Sequence, residues 1–169
     1  MSDSKTLDTA WKIHQANTDW TGKVDAKASF VFAITSAAIA TTVALSAQGR
    51  VLDNLPGPWL QWLFWAGLVL LALGAYLSSR VVIPRLRAAK MREEYKSNFI
   101  YFGHLRYWSA AELEVALKEQ DPLPVVSAQI VAMAKIAWRK HRFAQWALRC
   151  GIAGAGLEAL VALIVPASH

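Results

Sequence analysis

The stretch from residue 17 to residue 48 changes character halfway along its length, and it reads NTDWTGKVDAKASFVFAITSAAIATTVALSAQ. Two aspartates and two lysines fall within residues 19–27, and no further charged residue appears before Arg50. A hydrocarbon core of about 30 Å requires roughly 20 apolar helical residues, and the uncharged part of this stretch supplies them. We therefore predict a helix that begins in water and becomes a membrane span over about residues 28–48.

Two later stretches have the same apolar character. Residues 58–80 follow a Pro-Gly-Pro turn, and three tryptophans crowd their beginning, where amphipathic rings prefer the headgroup region. Residues 143–165 are apolar except for Arg149 and Glu158. The predicted fold class is thus an all-α membrane protein with three transmembrane helices and a cytosolic helical bundle, formed by helix extensions and a central helical hairpin. A buried helical hairpin in a soluble protein is the alternative, but 169 residues give it too little polar cover.

The distribution of Lys and Arg predicts the orientation. Four precede the first span, twelve lie between residues 80 and 142, and only Arg50 lies in the connection 48–57. Cytosolic loops carry the excess of positive residues, so we expect a cytosolic N-terminus and a C-terminal tail on the outer side of the membrane. The predicted regions are a cytosolic helix (1–27), a two-span hairpin (28–80), a cytosolic helical sensor region (81–142), and a third span with a short periplasmic tail (143–169).

The composition excludes several function classes. The chain has one cysteine and four scattered histidines, so neither a disulfide framework nor a metal cluster is expected. We find no P-loop, dinucleotide fingerprint or nucleophile elbow. We therefore predict no catalytic residues, no cofactor and no enzyme. The net charge of +6 follows from the membrane topology and does not require a nucleic-acid partner.

The regions outside the spans are predicted to be helical. One face of residues 4–27 repeats at three- and four-residue intervals, and we expect it to be buried, with its polar members meeting another helix or a ligand. Its residues are Leu7, Trp11, His14, Asn17, Thr21, Val24 and Ala28. Ser109 and Glu112 are spaced as a capping box. Because no proline interrupts residues 125–165, one helix is expected to join the sensor region to the third span.

Three stretches carry a family likeness. They are NTDWTGKVDAKASFVFA from residue 17, NFIYFGHL from residue 98 and SAQIVAMAKIAWRKHRFAQWA from residue 127. The matching residues are Asn17, Trp20, Asp25, Lys27, Ser29, Asn98, Tyr101, Phe102, Gly103, Gln129, Ile130, Ala134, Lys135 and Lys140. In these stretches and in the order of its spans, nearly the whole chain resembles the small transmembrane effectors of the Pycsar antiphage system.

This resemblance implies a function. In such systems a partner pyrimidine cyclase makes cyclic UMP or cyclic CMP on infection, and the effector impairs the inner membrane, which causes abortive infection. A receptor for such a ligand needs a cation for the phosphate, a ring for the base, and amide or hydroxyl groups for the edges. Our candidates are Arg92, Tyr95, Asn98, Phe102, His104, Arg106, Lys135 and Arg139. The alternative is that the rings form a small core and the cations only follow the membrane topology.

A second candidate group lies at the membrane entrance. It consists of Asn17, Trp20, Asp25 and Lys27. Asp25 and Lys27 are two residues apart, so they point to different faces of a helix and cannot pair with each other. Lys27 can reach lipid phosphates. Asp25 needs a cation from another helix, and we hypothesise that it clamps the first span to the third in the resting state. The available cations are Arg87, Lys140 and Arg142.

Small residues predict where the spans pack. Ser29-Ala33-Ala37-Thr41 and Ala147-Gly151-Ala155-Ala159 form stripes that allow close approach within one chain or in a homo-oligomer, whereas the Leu- and Trp-rich middle span is expected to face lipid. Glu158 is an intramembrane polar residue, expected to be protonated, partnered or facing water. Its expected hydrogen-bond partners are Ser36, Thr41 and Thr42; in an oligomer it can instead line a leak path.

Three other functions are compatible with such a chain. The first is a small membrane scaffold or regulatory subunit whose cytosolic helices dock a partner protein. The second is a constitutive transporter or channel, although we see no inverted repeat between the spans. The third is a peripheral lipid enzyme, for which no pair of nucleophile and base is visible.

Overall fold

The computed structural model describes residues 2–53, 55–84 and 88–167, and within these ranges the chain forms helices and turns without strands. The elements are α1 (Ser2–Leu45), α2 (Pro58–Val82), α3 (Ala88–Glu94), a short 3₁₀ turn (Tyr95–Ser97), α4 (Phe102–Leu105), α5 (Ala110–Glu119) and α6 (Pro122–Ala167). Three of these helices, α1, α2 and α6, are long and apolar enough to cross a membrane. The predicted fold class of three spanning helices is confirmed.

Local sequence explains where these helices begin and end. Helix α1 ends at Leu45, three residues before the predicted end of the span, and Gly49 adopts a φ of 73° in the turn that follows. Helix α2 starts at Pro58 as predicted, after Gly57 with a φ of 85°. It stops at Val82 because Ile83 precedes a proline and is extended.

The predicted capping box is present at the start of α5. The Ser109 hydroxyl accepts from the Glu112 backbone N–H at 3.2 Å, and the Ser109 backbone N–H donates to Glu112 Oε2 at 3.1 Å. The hydrogen bonds from Ser109 hold the pKa of Glu112 below its usual range. Helix α6 starts at Pro122, three residues earlier than predicted, and prolines are tolerated there because first-turn N–H groups have no partner within the helix.

The chain divides into two compact units. The first unit contains the described residues up to Gly22 together with Pro84–Arg139, and the second contains Lys23–Ile83 together with the described residues from Lys140 onward. Helices α1 and α6 therefore contribute residues to both units.

All three long helices bury residues with a repeat of seven, which is the period of left-handed coiled-coil packing. The buried and half-buried positions of α1 include Leu7, Ala10, His14, Asn17, Thr21, Val24, Ala28, Val31, Thr35, Ala38, Thr42 and Leu45. In α2 the buried positions are Leu60, Phe64, Gly67, Leu71, Gly74, Ser78 and Val81. In the second unit, α6 continues the same pattern through Ala147, Gly151, Gly154, Glu158, Val161 and Val165.

Within the second unit, α2 and α6 run antiparallel at very short range. Leu60 and Phe64 share a core cluster with Val161 and Val165 at one end. At the other end, a Cβ placed on Gly74 would lie 3.1 Å from the Gly151 backbone nitrogen. The expectation that the middle span faces lipid is therefore wrong for one of its faces, although Trp59, Trp62 and Trp65 at its start are exposed.

Two other expectations concern helix faces, and the one about Trp11 is wrong. Trp11 is exposed, and the smaller Ala10 occupies the buried position beside it. All four residues of the α1 stripe, Ser29-Ala33-Ala37-Thr41, are exposed within the chain. In the α6 stripe, Ala147 and Gly151 are buried, whereas Ala155 and Ala159 are exposed.

Candidate functional site

The aromatic segment between the 3₁₀ turn and α5 is held together by its own rings. The Trp108 indole N–H donates to the backbone carbonyls of Tyr95 at 3.0 Å and of Asn98 at 3.3 Å. The Tyr95 ring lies 5.9 Å from the Tyr107 ring and 5.7 Å from the Trp108 ring. Tyr95 thus helps to build the segment, as the alternative interpretation predicted for these rings.

Asn98 has a local structural role. Its side-chain oxygen accepts from the backbone N–H groups of Ile100 at 3.2 Å and of Tyr101 at 3.3 Å. Asparagine often closes turns in this way. The side-chain nitrogen is the part of Asn98 that can serve a ligand.

Near the candidate residues α3 packs against α4, and the ring of Tyr101 lies closest to Gly103 of α4. A Cβ placed on Gly103 would lie 2.7 Å from Met91 Sδ, and both residues are buried. Arg92 directly follows Met91, while Phe102 and His104 flank Gly103. Three of the candidates therefore lie next to one packing contact.

The candidate side chains in α3, α4 and the residues that follow differ in their exposure and in their hydrogen bonds. The Phe102 side chain is 66% exposed, with its ring 4.6 Å from that of Tyr101. His104 Nδ1 is buried and has no hydrogen-bond partner within the described residues. The Arg106 guanidinium lies 4.6 Å from the centre of the Tyr107 ring and donates to its hydroxyl at 2.9 Å.

The candidates on α6 are not brought to this contact by any hydrogen bond or ion pair within the described part of the chain. Lys135 and Arg139 are exposed. An open groove of about 430 Å³ lies between the first turns of α1 and α6, with Ile13 and Ile130 among its apolar walls. None of the eight ligand candidates lines this groove.

At the predicted membrane entrance, Asp25 has found a partner. Lys140 Nζ lies 2.7 Å from both carboxylate oxygens, and the two side chains are only 34% and 22% exposed. One of the three anticipated cations is thus the partner; Arg142 is exposed, and Arg87 lies outside the described residues. This contact joins α1 to α6.

Of the other three residues at the predicted membrane entrance, one is buried and two are exposed. Asn17 is buried, and its side-chain nitrogen donates to the backbone carbonyl of Ile130 on α6 at 3.3 Å. The expectation that Asn17 meets another helix is confirmed. Trp20 and Lys27 are exposed.

Glu158 is 8% exposed, and both of its carboxyl oxygens are buried without a hydrogen-bond partner among the described residues. A Cβ placed on Gly67 would lie 2.6 Å from Glu158 Oε1. The expected hydrogen bonds from Ser36, Thr41 and Thr42 are therefore not formed, because the carboxyl packs against the backbone of α2. The seven-residue spacing of Gly67 and Gly74 was the sequence signal for this neighbour.

Comparisons with curated proteins and with solved structures gave no match. Among protein families, residues 9–167 match the Pycsar effector protein domain, and this range contains every candidate residue described above. The match supports the role of an antiphage defence effector in a membrane, which is consistent with the three apolar helices. The chain belongs to the family of Pycsar effector protein domains.

Proposed function

We propose that this chain senses a cyclic pyrimidine mononucleotide, cyclic UMP or cyclic CMP, made by a partner cyclase. In response it impairs the bacterial inner membrane, so that the infected cell dies before the phage spreads. The family supports the defence role, and the three spanning helices support the membrane as the target. In this proposal the N-terminus and the first unit are cytosolic, where the cyclase product is released.

The observation that carries the ligand site is the contact between Met91 of α3 and Gly103 of α4. Arg92 follows Met91 in α3, and Phe102 and His104 flank Gly103 in α4. This supports a site built from a guanidinium, a largely exposed ring and a ring nitrogen that has no hydrogen-bond partner among the described residues. A cyclic mononucleotide presents one phosphate charge, a flat base and a hydroxyl. Charged hydrogen bonds, stacking and a single polar contact match these three groups.

The resting state in this proposal is held by the ion pair between Asp25 and Lys140. The pair joins α1 to α6 where the uncharged part of α1 begins. Several copies then assemble through small-residue faces left uncovered within the chain, such as Ser29-Ala33-Ala37-Thr41 of α1. Assembly in the bilayer is the step that damages the membrane.

The binding test uses the purified full chain in detergent and isothermal titration with each cyclic pyrimidine nucleotide. We expect one of the two to bind, and the linear 5′-monophosphate not to compete. Arg92→Ala or Arg106→Ala should weaken binding by roughly 10- to 100-fold, because each removes a hydrogen bond from a charged group, worth about 1.5–3 kcal/mol. Lys118→Ala is the matched control, since Lys118 is an exposed cation that pairs with Glu114 within α5.

Failure of both nucleotides to bind would contradict the sensing function. Unchanged affinity in both arginine variants would contradict the site. In cells, the parent chain produced together with the cyclase should release a small cytosolic dye on induction, and the chain without the cyclase should not.

A scaffold that docks a partner protein is the second candidate, and one observation favours it. Helix α5 leaves Val115 and Leu117 largely exposed, and Phe102 is exposed nearby in sequence. Such a scaffold would bind no mononucleotide, and its overproduction with a cyclase would be harmless. The two experiments above therefore separate the two functions.

A further inference from the structure

Glu158 lies at a core position of α6, one step of the seven-residue repeat from Gly154 and Val161. The repeat turns its side chain inward, towards α2. There Gly67 leaves the space that the carboxyl fills, since a Cβ at residue 67 would lie 2.6 Å from Oε1. The acid is thus enclosed between two helices in the part of the chain that carries the spans.

Among the described residues, no charged group stands opposite this carboxyl. Helix α1 has no titratable or charged side chain from Ala28 to Leu45, and α2 has none from Pro58 to Ala75. On α6 the nearest are Cys150 and Arg149, about 12–14 Å away along the axis. The Arg149 guanidinium lies 5.1 Å from the centre of the Trp146 ring.

The connection between α1 and α2 does not supply a counter-ion either. Its titratable side chains are Arg50 and Asp53, which belong to the turn after α1, and Asp53 accepts from the Gly49 backbone N–H at 2.9 Å. A lone carboxylate removed from water is very costly unless it is paired, whereas the neutral acid is far cheaper to bury. Both Glu158 oxygens lack a partner within the described residues.

We propose that Glu158 is a proton-binding site, whose carboxyl holds a proton while α2 and α6 are packed and releases it to water when they separate. A metal ion does not fit, because the described residues form no group of three or more His, Cys, Asp or Glu side chains that could hold one. Once ionised in water, the carboxylate cannot return to the space beside Gly67 without regaining its proton. Proton release would therefore shift the equilibrium towards the separated helices. This second half rests on the proposed membrane-damaging function.

The test of the site uses dicyclohexylcarbodiimide, a hydrophobic reagent that modifies protonated carboxyl groups. The acid gives its proton to one nitrogen of the reagent while its oxygen bonds to the central carbon. The acyl group then moves from that oxygen to a nitrogen, and the stable N-acylurea forms without a leaving group. An ionised carboxylate brings no proton and does not react in this way.

We expect mass spectrometry of the full chain in lipid vesicles at pH 8 to find the adduct on the peptide containing Glu158. Water-exposed acids elsewhere in the chain should stay unmodified, because an ordinary glutamate ionises near pH 4.3. Glu158→Gln should abolish the adduct, while Glu114→Gln, which alters an exposed pair of α5, should leave it unchanged. An unmodified Glu158 at pH 8, or an adduct that forms only below about pH 5, would overturn the proposal.

The release step has its own test. Glu158→Gln keeps the shape and stays neutral, so it should lower killing in the presence of the cyclase at least tenfold without changing nucleotide affinity. If Glu158 is modified at pH 8 but the Gln variant kills like the parent chain, proton release is overturned and the site stands. If Glu158 is unmodified while the parent chain binds nucleotide and kills, the site is overturned and the proposed function stands.

Discussion

At the scale of single residues, the ion pair between Asp25 and Lys140 is the contact with the clearest consequence. Exposed ion pairs contribute little to stability, but these side chains are two-thirds or more covered, and one ammonium group serves both carboxylate oxygens. Removal of either partner leaves a half-buried charge without its counterpart. The pair is therefore expected to bias how α1 and α6 pack.

Reversal of the charge at Asp25 tests this bias. Asp25→Lys should destabilise the resting chain by about 1–3 kcal/mol and produce toxicity without a cyclase, or else loss of assembly. The double variant Asp25→Lys with Lys140→Asp should restore the parent behaviour. Cell survival and thermal unfolding in detergent measure the two effects.

Asp19→Lys is the control for that experiment. Asp19 lies on the same helix, is exposed, and accepts a hydrogen bond from Gln15 rather than from α6. If Asp25→Lys proves as silent as this control, the resting-state clamp is wrong.

At this scale, the sequence predicted some side-chain contacts and missed others, for chemical reasons. The sequence predicted three possible cation partners for Asp25, because a carboxylate at a membrane boundary needs a positive charge nearby. It failed for Glu158, since a search for polar partners does not consider that an acid can pack against the bare backbone of Gly67. Among the ligand candidates, the turn formed by Asn98 depends on backbone geometry that residue types alone do not show.

At the scale of helices, the seam between α2 and α6 depends on glycine. A Cβ placed on Gly154 would lie 2.8 Å from the Gly67 carbonyl oxygen and 2.8 Å from the Leu71 backbone nitrogen. Backbone atoms inside a helix cannot move aside cheaply. In lipid, where helix association depends on close packing, this proximity is the main contact available to the pair.

Gly154→Ala should therefore separate or strain the two helices. Overpacking of this kind costs about 1–3 kcal/mol, so we expect a lower thermal unfolding midpoint in detergent. Gly156→Ala is the matched control, because the same substitution two residues away meets nothing within 4 Å. Equal unfolding midpoints for the two variants would show that α2 and α6 do not pack closely at Gly154.

Helix ends were more predictable than helix faces. Pro58 and the pair Ser109 and Glu112 act through their immediate neighbours, so their positions in the sequence were enough. The buried face of α1 was predicted with Trp11 in place of Ala10. Trp11 and Ala10 lie near the same face of α1, and close packing between helices favours the smaller side chain at the buried position.

At the scale of the whole molecule, the order of contacts within the second unit supports the predicted topology. Asp25 meets Lys140, and Thr35 lies beside Gly151, so α1 and α6 run in the same direction. Helix α2 runs against α6. We expect three spans in this order to place the beginning of the first span and the end of the third on opposite sides of a membrane.

Reporter fusions check this arrangement. Alkaline phosphatase, which folds only outside the cytosol, should be active when inserted after residue 51 or fused after residue 167. It should be inactive when inserted after residue 106. Activity after residue 106 would reverse the orientation and remove the first unit from the compartment in which a cyclase product is made.

The family and the three spans could be predicted from the sequence because both depend on patterns along the chain. The place where a ligand binds could not, because it depends on which exposed cations and rings face one another across separate elements. In our proposal the site lies at the contact of Met91 with Gly103, and no hydrogen bond or ion pair within the described residues brings Lys135 or Arg139 to it.

The space shared by Gly67 and Glu158 also limits how such a chain can evolve. A methyl group gained at residue 67 collides with the acid, whereas a shorter residue at 158 opens a void beside the glycine. A methyl group at residue 67 requires the flexible end of Glu158 to move, and a shorter residue at 158 leaves room for that methyl group. During evolution, residues 67 and 158 should therefore change together, so that the two positions co-vary among sequences that share an ancestor.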